Sequence, residues 1–150
     1  MTIAFIGAGN MAGSLIRGLQ ASGYLPGEIV AADPAKSQLE VLSALGIKTT
    51  TDNAQAVVDA DVVVLAIKPQ ITGDVLQALP ALKPNQLVIS IVAGIDTHSL
   101  GDWLPEQQPT VRCMPNTPAL LGAGITGLYA NASVNDAQRV QAETLLNGVG

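Results

Sequence analysis

The chain has 150 residues, 48% of them hydrophobic and 13% charged, with a net charge of −5, 15 glycines and one cysteine. That length suits a single domain with its own core, and the scarcity of charge means that much of the chain is buried or hidden against something else. Several classes are excluded: no apolar run approaches the roughly 18 residues of a membrane span, seven Lys and Arg without a cluster give a nucleic-acid surface no electrostatic support, and one cysteine cannot form an internal disulfide.

The chain opens on Ile3-Ala-Phe-Ile-Gly-Ala-Gly-Asn-Met-Ala-Gly13. A short apolar run breaks at Gly7-Ala8-Gly9, and Met11, Leu15 and Leu19 then recur at helical spacing, so the stretch predicts strand, tight turn and helix. In such a Gly-x-Gly-x-x-Ala turn, Gly7 takes backbone angles that a side chain would forbid, and Gly9 lets the main chain approach a bulky anion. The helix aims unpaired N–H groups and the positive end of its dipole at the same place, which suits a diphosphate. Ala12 fills the third small position, where helix and strand pack closely. Because the run is committed to this motif and lacks a basic flank, it does not read as a cleaved signal, and with the lone thiol the expected location is cytoplasmic.

From here strand and helix alternate. The first helix is predicted over Asn10 to Ala21, ending near Gly23, followed by a strand over Glu28 to Ala32. Asp33-Pro34 opens a second helix with Leu39, Leu42 and Leu45 inward, stopped by Gly46. A Thr-rich strand follows over Ile47 to Thr51, then a small helix from Asp52-Asn53 through Val58. Val62 to Ile67 is the most strand-like run in the sequence. A helix beginning at Pro69 carries Ile71, Val75, Leu76 and Leu79, and a strand spans Gln86 to Val92. Asp96 to Leu104 is helical, Thr110 to Met114 and Gly124 to Tyr129 are strands, and Asn135 to Asn147 is the last helix. No internal repeat appears, so residues 1–150 read as one domain. The fold class is α/β: a Rossmann-type, doubly wound, mainly parallel sheet with helices on both faces.

In such sheets ligands bind beyond the carboxyl ends of the strands. Asp33 follows the second strand, about 20 residues beyond Ala12, where a carboxylate meets the 2′-hydroxyl of NAD and repels the 2′-phosphate of NADP. Asp followed by Pro is also a helix cap. The two readings stand side by side, and if the carboxylate turns to its own helix, Lys36 is left to receive a phosphate. Asn53 after the third strand is either a ribose contact or part of a cap. Lys68, in Ala66-Ile67-Lys68-Pro69, stands ahead of a helix whose dipole disfavours a cation, which points to an anion or ribose oxygen as its partner. Ala93-Gly94 after the fifth strand leaves room for a flat ring. Pro115 and Pro118 stiffen a loop presenting Asn116 and Thr117. Cys113 lies inside an apolar strand without a base beside it and reads as inert, and His98 has no orienting partner and reads as surface.

Three segments together, Phe5-Ile-Gly-Ala-Gly-Asn-Met11, Ala66-Ile-Lys-Pro-Gln70 and Arg112-Cys-Met-Pro-Asn-Thr-Pro-Ala119, resemble pyrroline-5-carboxylate reductase, the last enzyme of proline biosynthesis. The resemblance covers essentially the whole chain and matches the cofactor-binding domain of that family. It implies reduction of 1-pyrroline-5-carboxylate to proline by NADPH, or by NADH in some members. By resemblance, Gly7, Ala8, Gly9, Asn10, Met11 and Ala12 hold the diphosphate, and Asp33, Pro34 and Asn53 surround the adenosine. Ala66, Ile67, Lys68 and Pro69 with Ala93 and Gly94 line the nicotinamide side, while Asn116 and Thr117 border the substrate. The family residue at Asp33 is often neutral, so an acid here bears on NADP preference. Family members continue into a helical domain that forms a homo-oligomer and carries a Ser-Gly-Ser-Gly-Pro segment gripping the substrate. These residues contain nothing of that kind, so the chain reads as a truncated piece with no catalytic acid of its own and no metal site. The alternatives are a related imine or 2-hydroxyacid reductase, which should lack the loop from Met114 to Pro118, and a nonenzymatic dinucleotide-sensing domain.

Overall fold

The computed structural model describes residues 1–115 and 125–147. Strand β1 (Ile3–Ile6) leads into helix α1 (Asn10–Ala21), a single 3₁₀ turn (Pro26–Glu28) and strand β2 (Ile29–Ala32). Helix α2 (Lys36–Ser43), β3 (Lys48–Thr50), α3 (Asn53–Val57), β4 (Val62–Leu65), α4 (Pro69–Ala78) and β5 (Leu87–Ser90) follow. The chain then forms α5 (Thr97–Trp103), β6 (Thr110–Pro115), β7 (Ile125–Ala130) and α6 (Asp136–Asn147).

The strands make one seven-stranded sheet in the order β3-β2-β1-β4-β5-β6-β7, parallel except for the last pair. Continuous apolar runs such as Ile3–Ile6 and Val62–Leu65 are buried at every position because both faces of the sheet are covered. Ile3, Phe5, Val62, Val64 and Ile89 face α1, α2 and α6. Ala4, Ile6, Val63, Leu65 and Val88 face α3, α4 and α5. Helix α1 shows why the pattern folds this way: Ala12, Leu15, Ile16 and Leu19 recur on one face and are fully buried. Each of the three large side chains contributes about 1.5–3 kcal/mol on burial.

The amino ends of the central strands are closed by side-chain amides. Gln86 Oε1 accepts from Lys83 N at 2.7 Å, and its Nε2 donates to Val57 O at 2.7 Å and Ala60 O at 2.8 Å. Gln108 Nε2 donates to Lys83 O at 3.0 Å and also to Gln86 O, and Asn131 Nδ2 donates to Gln108 O at 2.8 Å.

One expectation is corrected. Helix α2 starts at Lys36, not at Asp33-Pro34, because Ala35 is extended at ψ 102° and the Asp33 carboxylate is engaged elsewhere. On α4, Ile71 is 44% exposed, whereas Thr72 is fully buried. Thr72 is tolerated there because its hydroxyl donates to Lys68 O at 3.0 Å, which satisfies the polar atom within its own helix.

Candidate functional site

The strand order reverses at β1, which has β2 on one side and β4 on the other, and the loops after these strands diverge to leave a cleft. Gly7 sits at the reversal with φ +108°, and its N–H donates to Ala32 O at 2.8 Å. A Cβ on Gly7 would lie 2.2 Å from Ala66 O, so only glycine lets the ends of β1 and β4 stay this close. Gly9 differs. It is the N-cap of α1, and a Cβ there would meet nothing within 4 Å. No side chain caps the helix; Gly13 N–H closes the first turn onto Gly9 O at 3.0 Å. Among the described residues the amides of Gly9, Asn10 and Met11 have no acceptor, so donors and a dipole end face open space. That arrangement fits the diphosphate of a dinucleotide.

Asp33 joins two loops. Its Oδ2 accepts from Ala8 N at 2.9 Å and its Oδ1 from Ala35 N at 2.8 Å, so it holds the glycine turn against the loop after β2 instead of capping α2. Asp52 takes the cap of α3, accepting from Ala54 N at 3.0 Å, and leaves Asn53 in the wall of the cleft.

The cleft measures about 540 Å³. Of the residues singled out in the sequence, Gly7, Gly9, Asp33, Pro34, Asn53, Ala66, Ile67 and Lys68 line it. Lys68 is the N-cap of α4 with its side chain exposed and no capping bond, consistent with a cation turned to the cleft. Ala8 and Asn10 line a smaller adjoining recess. Ala12 is buried beneath the turn, as close helix–strand packing requires. Met11, Lys36, Pro69, Ala93 and Gly94 lie outside the lining, the last two exposed beyond β5 with Gly94 at φ +75°. Asn116 and Thr117 fall outside the described residues. The sequence reading missed Gln38, Thr51, Ile71 and Val75, which also line the cleft. Ile71 and Val75 carried a signal, but an apolar pair at i, i+4 looks the same whether it faces a core or a cleft wall.

Two ionisable groups depart from their usual range. The Cys113 thiol is pushed up to about 12 by burial, against a smaller opposing pull from the Arg112 cation. It is therefore neutral and unreactive at neutral pH. Asp96, the N-cap of α5, is held below the usual carboxylate range by the amide and hydroxyl of Ser99, and exposed His98 adds a small pull. Among the described residues no group of His, Cys, Asp and Glu could hold a metal ion, and no helix is long and apolar enough to cross a membrane. A larger groove of about 710 Å³ runs by Thr2, Ile29, Lys48 and Asp59 at the amino ends of the strands. The chain enters the sheet there from helix C-termini, whose carbonyls disfavour an anion, so volume is outweighed by chemistry.

Reversed strand order, a glycine turn with free amides and a cleft beyond the carboxyl ends define a nicotinamide-dinucleotide-binding domain of the Rossmann type. The chain belongs to the family described as NADP oxidoreductase, coenzyme F420-dependent, whose profile matches residues 2–94. The motif-based resemblance is borne out as well. Over 150 residues, 99% of this chain, it is 57% identical to pyrroline-5-carboxylate reductase of Pseudomonas aeruginosa and 46% identical to that of Vibrio alginolyticus, covering 55% of each. The solved structure of a pyrroline-5-carboxylate reductase from Coxiella burnetii matches with a TM-score of 0.86 at 37% identity, over 99% of this chain and 56% of that one. The chain thus spans about half the length of the curated relatives it matches.

Proposed function

We propose that this chain is the coenzyme-binding part of a cytoplasmic reductase that converts 1-pyrroline-5-carboxylate to L-proline with NADPH, NADH being the alternative coenzyme. The observation that carries the proposal is the set of open amides at Gly9 to Met11 beyond the Gly7 turn, in a chain 57% identical to a pyrroline-5-carboxylate reductase. The helical part that completes the substrate site and forms the homo-oligomer is assigned to residues outside these 150.

When bound, the coenzyme supplies the hydride. The residues of this chain bind and orient. Amides from Gly9 to Met11 hold the diphosphate, and Asp33 fixes the turn that presents them by its bond to Ala8 N. Asn53 meets the adenosine ribose, and Pro34 and Lys36 border that half. Ala66 to Pro69, with Ala93 and Gly94, form the nicotinamide side, where Lys68 donates to a ribose or phosphate oxygen. Asn116 and Thr117 border the substrate. Holding the donor carbon near van der Waals distance from the imine carbon supplies much of the acceleration. No side chain lining the cleft is assigned as the acid that protonates the imine nitrogen, because Lys68 is placed for binding.

Calorimetry with NADPH, NADH and 5′-AMP, with a proline-formation assay on the same sample, tests this reading. The 150-residue chain should bind dinucleotide weakly and turn over little or no substrate. Failure to bind any of the three ligands would sink the coenzyme role. Robust proline formation would overturn the placement of the substrate site outside these residues.

A further inference from the structure

Two grooves meet at the glycine turn. Beside the cleft lies a recess of about 110 Å³ between the first turns of α1 and α2, lined by Ala8, Gly9, Asn10, Gly13, Arg17 and Gln38 among others. Gly9 and Gln38 line both, so the recess adjoins the cleft where the adenosine half of a dinucleotide leaves the turn. Arg17 is exposed on α1, and its guanidinium folds back over Gly13: a Cβ there would lie 3.0 Å from Nη1 and 3.9 Å from Cζ. The missing side chain of Gly13 is what lets the cation lie along the helix, one turn closer to its N-terminus. Among the described residues no carboxylate forms an ion pair with it, the one pair present being Arg139 with Glu143.

Charge makes this placement informative. The cleft wall holds one carboxylate, Asp33, and one ammonium, Lys68, the latter across on the β4 side. Lys36 lines neither groove. A phosphate on the adenosine ribose brings a further charge of about −1.5 to −2, which Asp33 alone would repel. Both Asp33 oxygens are already bonded to amides, and one of those amides belongs to Ala8, which also walls the recess. A phosphate turned away from the carboxylate past Ala8 therefore enters the recess and meets a guanidinium, the side chain best suited to bind phosphate by two parallel bonds.

We propose that the recess between α1 and α2 is a phosphomonoester subsite in which Arg17, with Gln38 beside it, receives the 2′-phosphate of NADPH. Arg17 thus determines how this chain responds to that phosphate. The inference rests on the dinucleotide reading of the cleft, and its test separates the two.

The experiment is calorimetric titration of the 150-residue chain and of Arg17→Gln, Arg17→Lys and Lys36→Gln with NADPH, NADH, 5′-AMP and adenosine 2′,5′-bisphosphate, at low and high salt. Arg17→Gln should weaken NADPH and the bisphosphate about tenfold while NADH and 5′-AMP bind as before, and should flatten the salt dependence of NADPH binding. Arg17→Lys should recover part of the loss, since it keeps the charge without the planar fork. An equal loss for all four ligands would make Arg17 a structural residue. No loss for any, or a selective loss in Lys36→Gln instead, would overturn the subsite. If the parent chain binds neither NADH nor 5′-AMP, the dinucleotide reading itself falls and takes this inference with it.

Discussion

The two ends of the sheet treat their loop amides and carbonyls in opposite ways. At the amino ends, Gln86, Gln108 and Asn131 reach across from neighbouring segments and satisfy backbone groups that would otherwise be buried without partners. At the carboxyl ends, Asp33 ties Ala8 N to Ala35 N, yet among the described residues the amides from Gly9 to Met11 are left free. The closed end is rigid because desolvated amides are costly to unpair. The open end keeps its donors for a ligand, and its shape is set by what the chain omits, namely the side chains at positions 7 and 9.

Two glycines two residues apart give the sharpest way to break this contrast. Gly7→Ala would force a Cβ to within 2.2 Å of Ala66 O at a backbone angle of +108° that L side chains rarely adopt. Strain and overpacking together should destabilise the fold by on the order of 4 kcal/mol, read from urea unfolding. Gly9→Ala meets nothing and has an ordinary φ of −79°. Its stability should fall by less than about 1 kcal/mol, while affinity for NADPH drops about tenfold or more because the methyl group occupies the space of the diphosphate. Equal effects of the two changes on unfolding would erase the distinction between a glycine needed by the fold and one needed by the ligand. At the closed end, Gln86→Leu should lower stability by about 3 kcal/mol, since it leaves Val57 O, Ala60 O and Lys83 N without their partner. Nucleotide affinity of the folded variant should not change. A loss of binding with unchanged stability would show that the two ends are not separate.

Most of the fold was legible because its physics is local. Val62 to Ile67 reads as a strand covered on both faces, which the structure shows over Val62–Leu65, and Gly23, Gly46 and Pro69 punctuate the helices where the structure breaks them. Strand ends were read too long where apolar residues continue past the last ladder bond: Ile91 and Val92 are buried in a loop beyond β5, not in the sheet. The glycine turn was legible for the same local reason, since the needs of positions 7, 9 and 12 are written in three adjacent steps of the chain. The hidden parts of the site depend on distance. The Asp33 carboxylate finds Ala8 across 25 residues, which no window around Asp33-Pro34 contains, so its cap-like appearance was misleading. Arg17 looks like any solvated helix residue until the fold lays α2 beside it.

Between the two ends lies a polar group that neither scheme serves, the Cys113 thiol, 1% exposed on the core face of β6. Its neutrality follows from burial, and the direction of the pH effect follows from that. The group's pKa rises from 9.0 in the unfolded chain to about 12 in the fold. Its contribution is therefore fully present below pH 9 and is lost as pH climbs from 9 toward 12, because only the unfolded chain then releases the proton. The slope should be at most about 1.4 kcal/mol per pH unit. Tyrosines and lysines titrate over the same range, so the difference between the parent chain and Cys113→Val isolates the thiol: that difference should be flat below pH 9 and shrink above it. A haloacetamide at pH 8 should leave the native thiol unmodified and label it in urea. Rapid labelling of the folded chain at pH 8 would mean that β6 opens to solvent on the timescale of the reaction, and that this strand, next to the β7 edge, is less firmly held than the strands at the centre of the sheet.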